Sequence, residues 1–260
     1  MKISIITVCY NSAETIGDTM RSVACQTHPD IEHIVVDGAS TDDTLVIVRA
    51  SPSRLSHLVS ERDAGIYDAM NKGLGLASGD LVGFLNADDM LADPETISRV
   101  AAAVDGAEVD AVYGDLSYVR KDRPDEVLRY WRSGEFSSGK LQYGWMPPHP
   151  TFYVTRDEAR RLGTFDLQFR IAADYDLMLR CLSRPNVRVA YVPQVLVRMR
   201  TGGASNRSLG AMMLKSQEDL GVLRKNRVGG LGSLLCKNAR KLPQFFLRAA
   251  PSTEAHRQRD

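Results

Sequence analysis

KISIITVCYNSAETIGDTMRSVACQ, residues 2–26, carries the pattern from which the fold is read. Lys2–Cys9 is a short apolar run rich in β-branched residues. Thr15–Gln26 then places Ile16, Met20, Val23 and Ala24 at helical spacing. One short β-type apolar run followed closely by one period-3.6 segment is a strand–helix unit.

The unit recurs. His33–Val36 is followed by Thr41-Asp42-Asp43, whose acids suit the first turn of a helix running to Ala50. His57–Val59 precedes a helical stretch, Ile66–Ala77, that Gly73 and Gly75 weaken. Leu81–Leu85 precedes Asp93-Pro94-Glu95, an N-cap, a proline and an early acid that predict a helix to about Val104. Four alternations predict an α/β fold with a mostly parallel central sheet and flanking helices, in which ligands bind beyond the carboxyl ends of the strands.

Beyond residue 105 the pattern changes. Ala111–Val119 and Glu126–Tyr130 read as strands, and Tyr143–Pro150 as a loop. Asp157–Leu162 and Asp174–Ser183 read as helices, and Arg188–Val192 and Val195–Met199 as paired short strands around Pro193. From Asn206 the chain is mostly helical. The expected organisation is a catalytic domain over 1–205, with a nucleotide-binding half to about 105 and an acceptor half to 205, and a helical basic extension over 206–260.

Composition narrows the class. The chain has 260 residues, 43% hydrophobic and 25% charged, with a net charge of +1, which excludes a disordered chain, a collagen repeat and a dedicated nucleic-acid binder. Four scattered cysteines form no C-x-x-C pair, so reduced thiols in a cytoplasmic protein are expected. Glu14, Asp18 and Arg21 interrupt any secretory apolar region. The near-zero charge conceals an asymmetry: residues 221–250 carry seven basic and no acidic residues, interleaved with Leu231, Leu234, Leu235 and Phe245–Leu247. Either a helix on an anionic membrane surface or a cationic face packed on the catalytic domain accounts for that segment.

Carboxylates gather at strand ends. His33–Val36 runs into Asp37-Gly38, and Leu81–Leu85 into Asn86-Ala87-Asp88-Asp89. Adjacent carboxylates repel, so such a tip suits Mg²⁺ or Mn²⁺ bound together with substrate phosphates, unless the pair merely caps a turn. Ala173-Asp174-Tyr175-Asp176 adds a third acidic site, which is either a helix cap or a general base. The glycines at 73, 75 and 79 miss the dinucleotide spacing, and there is no phosphate loop, zinc-protease motif or nucleophile elbow.

The ordered set Ile5–Asn11, Val35–Asp42, Asp63–Gly73, Phe84–Asp89, Pro148–Tyr153, Ala173–Leu177 and Gly202–Ser205 resembles family 2 glycosyltransferases of the GT-A fold, in particular those building exopolysaccharides and cell-surface glycolipids of bacteria. The resemblance implies a sugar moved, with inversion, from a nucleoside-diphosphate donor to a hydroxyl on a saccharide or lipid-linked acceptor; the membrane reading of the basic segment would place this at the inner face of the cell membrane. It implies that Asp37 hydrogen-bonds the base while Thr7, Tyr10, Asn11, Asp63 and Asn86 complete the nucleotide site. Asp88 would hold the divalent metal, and Asp174 would be the general base. Asp89, His149, Trp145, Arg198 and Arg200 are further candidates for donor-sugar or acceptor contacts. His149 either meets the donor or orders its proline-rich loop, and Trp145 either stacks on a sugar or packs in the core.

The sequence also departs from the family pattern. Asn86 replaces the first acid of D-x-D, Ala173 replaces the acid before the base, Met70 replaces an arginine, and Arg198, Arg200 and Thr201 stand where some relatives carry a metal-binding histidine. Metal, or an arginine in its place, would then offset the diphosphate charge. A non-catalytic nucleotide-sugar or polysaccharide-binding protein on the same scaffold is the alternative reading.

Overall fold

The computed structural model describes residues 1–53, 55–202 and 209–240. In the first half, strands β1 (Ile3–Cys9), β2 (Ile31–Asp37), β3 (Leu55–Ser60) and β4 (Leu81–Phe84) alternate with helices α1 (Ile16–Ala24), α2 (Thr44–Ala50) and α3 (Ile66–Leu76). β1 pairs in parallel with β2 and β4, and β2 with β3. β1 is buried along its whole length, which its unbroken apolar run requires of a strand covered on both faces.

Gly73 explains why α3 tolerates a poor helix former. A Cβ there would stand 2.4 Å from Ile6 Cγ2, so the glycine lets α3 lie directly on β1. Gly75, on the same helix, faces open space.

The second half adds β5 (Met90–Leu91), α4 (Thr96–Ala102), β6 (Ala111–Val119), β7 (Val127–Trp131), β8 (Tyr153–Thr155), α5 (Arg156–Leu162), α6 (Ala173–Leu182) and β9 (Val189–Arg200). The nine described strands form one sheet in the order β3-β2-β1-β4-β8-β6-β9-β5, with β7 on the flank of β6. β8 enters antiparallel between β4 and β6, β5 runs antiparallel to β9, and β6 and β9 are parallel. The sheet is therefore parallel in its first half and mixed in its second.

Three expectations are corrected. The segment around Pro193 is one twelve-residue strand, not a pair of strands. Its register against β6 jumps from Gly114↔Val192 to Asp115↔Val195, leaving Pro193 and Gln194 in a bulge where a missing N–H costs no ladder bond. Helix α4 begins at Thr96, because Asp93 closes a preceding turn, accepting from Glu95 N at 2.9 Å and pairing with Arg99 at 2.7 Å. The loop expected over 143–150 is bracketed by 3₁₀ turns at Ser138–Tyr143 and His149–Thr151.

Helices α7 (Leu209–Lys225) and α8 (Leu231–Ala239) pack back on the body. Val222 and Leu223 are buried in the same apolar cluster as Tyr113, Trp145, Tyr175 and Met178. Two cations of the basic segment are held in ion pairs, one at the surface and one buried. Lys225 pairs with Asp166 (2.8 Å) and Asp176 (3.0 Å). Lys237 pairs with Asp219 at 2.8 Å and lies 3.3 Å from the centroid of the Tyr175 ring. Burial lowers its ammonium pKa to about 8 against the opposing pull of Asp219. Positions 203–205 of the glycine-rich turn, and 241–250 of the basic segment, lie outside the described residues.

Candidate functional site

A cleft of about 540 Å³ opens at the carboxyl ends of β1 and β4, where the strand order reverses, β2 lying on one side of β1 and β4 on the other, and so makes room for ligands. Tyr10 and Asn11 come from the loop after β1, Asp63 and Ile66 from the start of α3, Asn86 and Asp88 from the loop after β4, and Arg200 from the end of β9. These six predicted residues, Tyr10, Asn11, Asp63, Asn86, Asp88 and Arg200, are brought together.

The rim is built by short hydrogen-bonded loops. Asn11 takes a left-handed conformation (φ 48°), and its Oδ1 accepts from Thr41 N at 2.9 Å while its own N–H donates to Ser40 Oγ at 2.8 Å. Ala39 is left-handed as well (φ 62°), a strain of about 1 kcal/mol that the surrounding bonds hold in place. Gly38 has a different task. A Cβ there would lie 2.5 Å from Asp63 Oδ2 and 3.4 Å from the Tyr10 ring, so its absence admits the Asp63 carboxylate to the cleft wall. Tyr10 is 62% exposed and Ile66 47%, giving the cleft an aromatic and an aliphatic lip.

Thr7 and Asp37 are placed one layer behind this wall. Thr7 Oγ1 meets His33 Nε2 at 3.0 Å in the core. Asp37 is wholly buried; Oδ2 accepts from Ser40 N (3.0 Å) and Ser60 Oγ (2.7 Å), and Oδ1 from the Ser40 hydroxyl and Cys9 Sγ. With four donors the carboxylate is saturated, so it shapes the loop after β2 and does not present an oxygen to the cleft. Burial, and then the Asp37 charge, push the Cys9 thiol up.

Asp88 is half-buried on the cleft wall and Asp89 points the other way. Asp89 is fully buried, receiving Asn86 Nδ2 and Arg200 N, each at 3.3 Å. Burial first, and the neighbouring Asp88 charge second, raise its carboxyl well above the usual range. Asp89, expected at the donor sugar or acceptor, is not among the residues that line the cleft. Arg200, 4% exposed, ties the site together: Nη1 donates to Asp88 O (3.1 Å), Nε to Lys121 O (3.3 Å), and Nη2 to Asp18.

Trp145 and Arg198 stand away from the cleft. Trp145 is buried among Tyr113 and Phe136, and its indole donates to Ser133 O at 2.9 Å. Arg198 pairs with Asp125 at 3.6 Å beside the opposite strand. Of the two readings held for Trp145, the geometry is that of packing.

Asp174 occupies the first turn of α6. Its Oδ1 accepts from Tyr67 Oη at 3.1 Å and from Tyr175 N at 2.8 Å. Burial, with the Asp174 charge added, raises the Tyr67 phenol well above its ordinary value, so Tyr67 stays a donor. His149 is stacked on Phe84 with centroids 5.5 Å apart and edge-on to Phe165. Burial lowers its imidazole pKa, against the pull of Asp174, and keeps it neutral.

Neither Tyr67 nor Lys121 and Glu14 had been singled out. Lys121 and Glu14 both line the cleft and pair with each other at 2.9 Å. Lys121 follows the end of β6, and the strand-end rule applied to Val36 and Leu85 would have reached it.

The donor set fits one hard cation. Among the described residues no three His, Cys, Asp or Glu side chains cluster as ligands. Asn86, however, lines the cleft beside Asp88 and its Oδ1 is a buried acceptor with no hydrogen-bond partner. One carboxylate, one unsatisfied amide oxygen and the oxygens of a diphosphate make a set of the kind Mg²⁺ and Mn²⁺ accept.

No helix among the described residues is long and apolar enough to cross a membrane. Residues 4–166 match the model of glycosyl transferase family 2. A PGL/p-HBAD biosynthesis glycosyltransferase of Mycobacterium tuberculosis is 34% identical over 217 residues, 82% of each chain. Among solved structures, Staphylococcus aureus TarS (residues 1–349, with UDP-GlcNAc) superposes with a TM-score of 0.67 at 21% identity, covering 88% of this chain and 66% of that one. The Pyrobaculum calidifontis mannosyltransferase PcManGT, solved with GDP-Man and Mn²⁺, gives 0.67 at 22% identity over 94% and 73%. Sheet order, family model and relatives agree: the chain belongs to glycosyltransferase family 2, and it is a glycosyltransferase with the GT-A fold.

Proposed function

We propose that this enzyme transfers the sugar of a nucleoside-diphosphate donor, with inversion, to a hydroxyl of a saccharide or lipid-linked acceptor in the synthesis of envelope glycolipids or exopolysaccharides. The observation that carries the reading is the pairing of a donor-sized cleft, walled by Tyr10, Asp63 and Asp88, with a separate carboxylate, Asp174, oriented by Tyr67. In this reading residues 1–105 hold the nucleotide and 106–205 the acceptor. The name of the mycobacterial relative supports a glycolipid acceptor, and the ligands of TarS and PcManGT support a nucleotide-sugar donor.

Tyr10 offers its ring to the base, and Asp63, admitted by Gly38, accepts hydrogen bonds from base or ribose. Asp88 and the Asn86 amide oxygen would hold Mn²⁺ or Mg²⁺, which offsets the charge of the departing diphosphate. Asp174 takes the proton of the acceptor hydroxyl as its oxygen bonds to the anomeric carbon and the bond to the diphosphate oxygen breaks. One base and no covalent intermediate suffice for inversion. His149, neutral and packed between Phe84 and Phe165, orders its proline-rich loop. The test is release of nucleoside diphosphate from UDP-GlcNAc and GDP-mannose, with and without Mn²⁺. Asp88→Ala and Asp174→Ala should each abolish most turnover in a folded protein, and near-wild-type turnover in Asp174→Ala would sink the base assignment.

The reading includes peripheral contact with an anionic membrane at the cytoplasmic face. Leu231 and Leu235 lie one turn apart on α8 and are 63% and 70% exposed. Because Val222 and Leu223 are core residues, the informative truncation removes only residues after Arg240. Anionic vesicles should lose affinity for that truncation or for Leu231→Asp/Leu235→Asp; unchanged binding of both rejects the contact.

A further inference from the structure

Helix α6, which carries Asp174, starts without a side-chain cap: its N-cap residue is Ala172. The backbone N–H groups before it need partners from elsewhere. They find one carboxylate on α7. Glu218 Oε1 accepts from Arg170 N at 2.9 Å, and Oε2 from Ile171 N at 2.8 Å and Ala172 N at 3.0 Å. Three charge-assisted bonds to three consecutive amides fix the path of the chain into the helix.

The same segment is held from its other side. The single Tyr67 Oη–H is shared between Ile171 O at 2.7 Å and Asp174 Oδ1 at 3.1 Å. Residue 171 is thus gripped through its N–H by α7 and through its C=O by α3, and the catalytic carboxylate lies three residues on. Among the described residues, the two hydrogen bonds to Asp174 both fall on Oδ1 and neither on Oδ2. An arrangement that spends one oxygen on orientation reserves the other for a proton. The next acid on α7, Asp219, turns instead to Lys237 and Lys215.

We propose that Glu218 is a positioning residue for Asp174, so that α7, outside the segment matched by the family model, completes the catalytic geometry. This rests on the assignment of Asp174 as base. A base displaced by a fraction of an ångström loses transition-state overlap while donor binding, built from Tyr10, Asp63 and Asp88 on other elements, is untouched.

The test compares Glu218→Ala, Glu218→Gln and Asp219→Asn in the full chain. Nucleoside diphosphate release from UDP-GlcNAc and GDP-mannose, with water as acceptor, gives kcat and donor KM. Glu218→Ala should lower kcat by about 10- to 100-fold and leave the donor KM within about twofold. Glu218→Gln keeps one accepting oxygen and should fall between Glu218→Ala and wild type. Asp219→Asn, which loosens α7 without touching residues 170–172, should lower the melting temperature and keep kcat. Hydrogen exchange should quicken over 168–176 in Glu218→Ala and stay unchanged over β1. A Glu218→Ala kcat within about twofold of wild type, or equal kcat losses in all three variants, overturns the proposal. If the wild type releases nothing from either donor, the donor reading fails. Exchange then decides this proposal alone: unaltered exchange over 168–176 in Glu218→Ala overturns it, and faster exchange confined there supports it.

Discussion

Tyr67 donates a hydrogen bond to Asp174 across 107 residues of chain, joining α3 to α6. Tyr67→Phe deletes this bond and the one to Ile171 O, with no change of ring packing on Phe165. We expect kcat for nucleoside diphosphate release to drop by about 10-fold with donor KM unchanged. Steady-state kinetics of the two proteins check this, and a fall in donor affinity instead would place Tyr67 in the donor site.

Arg200 joins three segments through one guanidinium. In Arg200→Ala the carbonyls of Asp88 and Lys121 lose a donor and Asp18 loses its partner, a loss of about 3 kcal/mol, read as a melting temperature lower by roughly 6–12 °C. Arg200→Lys should recover little, since an ammonium cannot serve three directions at fixed angles. Thermal melts of the three proteins decide the matter; equal stability of wild type and Arg200→Lys would show that charge alone matters.

His33 makes the fold acid-sensitive in a defined window. It is buried between Thr7 and Ser53, and burial lowers its pKa to about 4. The unfolded chain takes up the proton near pH 6.5 and the native state only near 4, so stability declines as pH falls between those values, by up to about 3 kcal/mol. His149, shifted in the same direction, adds to the decline. Glu32 acts lower. Burial opposes its ionisation, but bonds from Lys2, Ser4 and Ser78 outweigh that and bring it to about 2, so its contribution is full above pH 4.5 and lost only as pH falls towards 2. Urea melts between pH 4 and 7 should show a flatter limb for His33→Gln than for wild type; parallel limbs would contradict the assignment.

Two glycines of one helix should respond oppositely to alanine. At Gly73 the added methyl meets Ile6 at 2.4 Å, and overpacking of about 1–3 kcal/mol exceeds the gain in helix propensity. At Gly75 nothing lies within 4 Å, so Gly75→Ala should stabilise by about 0.5–1 kcal/mol. Denaturant unfolding of both variants checks the pair of signs.

The parallel half was legible because β1, β2 and β4 are buried and rich in apolar residues, while β3, at the sheet edge and partly exposed, still carries a short apolar core, Leu58-Val59. β1 to β4 fall within a few residues of their expected bounds. β5 has two residues and β8 three, too few to show any period, and both owe their existence to neighbours far away in sequence. Pro193 misled because a proline inside an apolar run usually ends a strand, and only the facing register reveals a bulge. At the site, the motif residues Tyr10, Asn11, Asp63, Asn86 and Asp88 do converge. The direction in which each side chain points was not readable: Asp37, Asp89 and Thr7 turn inward, because their hydrogen-bond partners are Ser60, Arg200 and His33. Nor could spacing reveal that Glu218 and Tyr67 meet at residue 171.

The grip of α7 and α8 on α6 has a consequence during protein synthesis. Residues 1–105 contain the strands and loops of the cleft's first walls, and emerge from the ribosome early. Glu218, and Lys237 beneath Tyr175, follow more than a hundred residues later. A nascent chain can therefore assemble much of this cleft before the turn that leads to Asp174 is tied down. The setting of that carboxylate waits for α7 and α8 to be made.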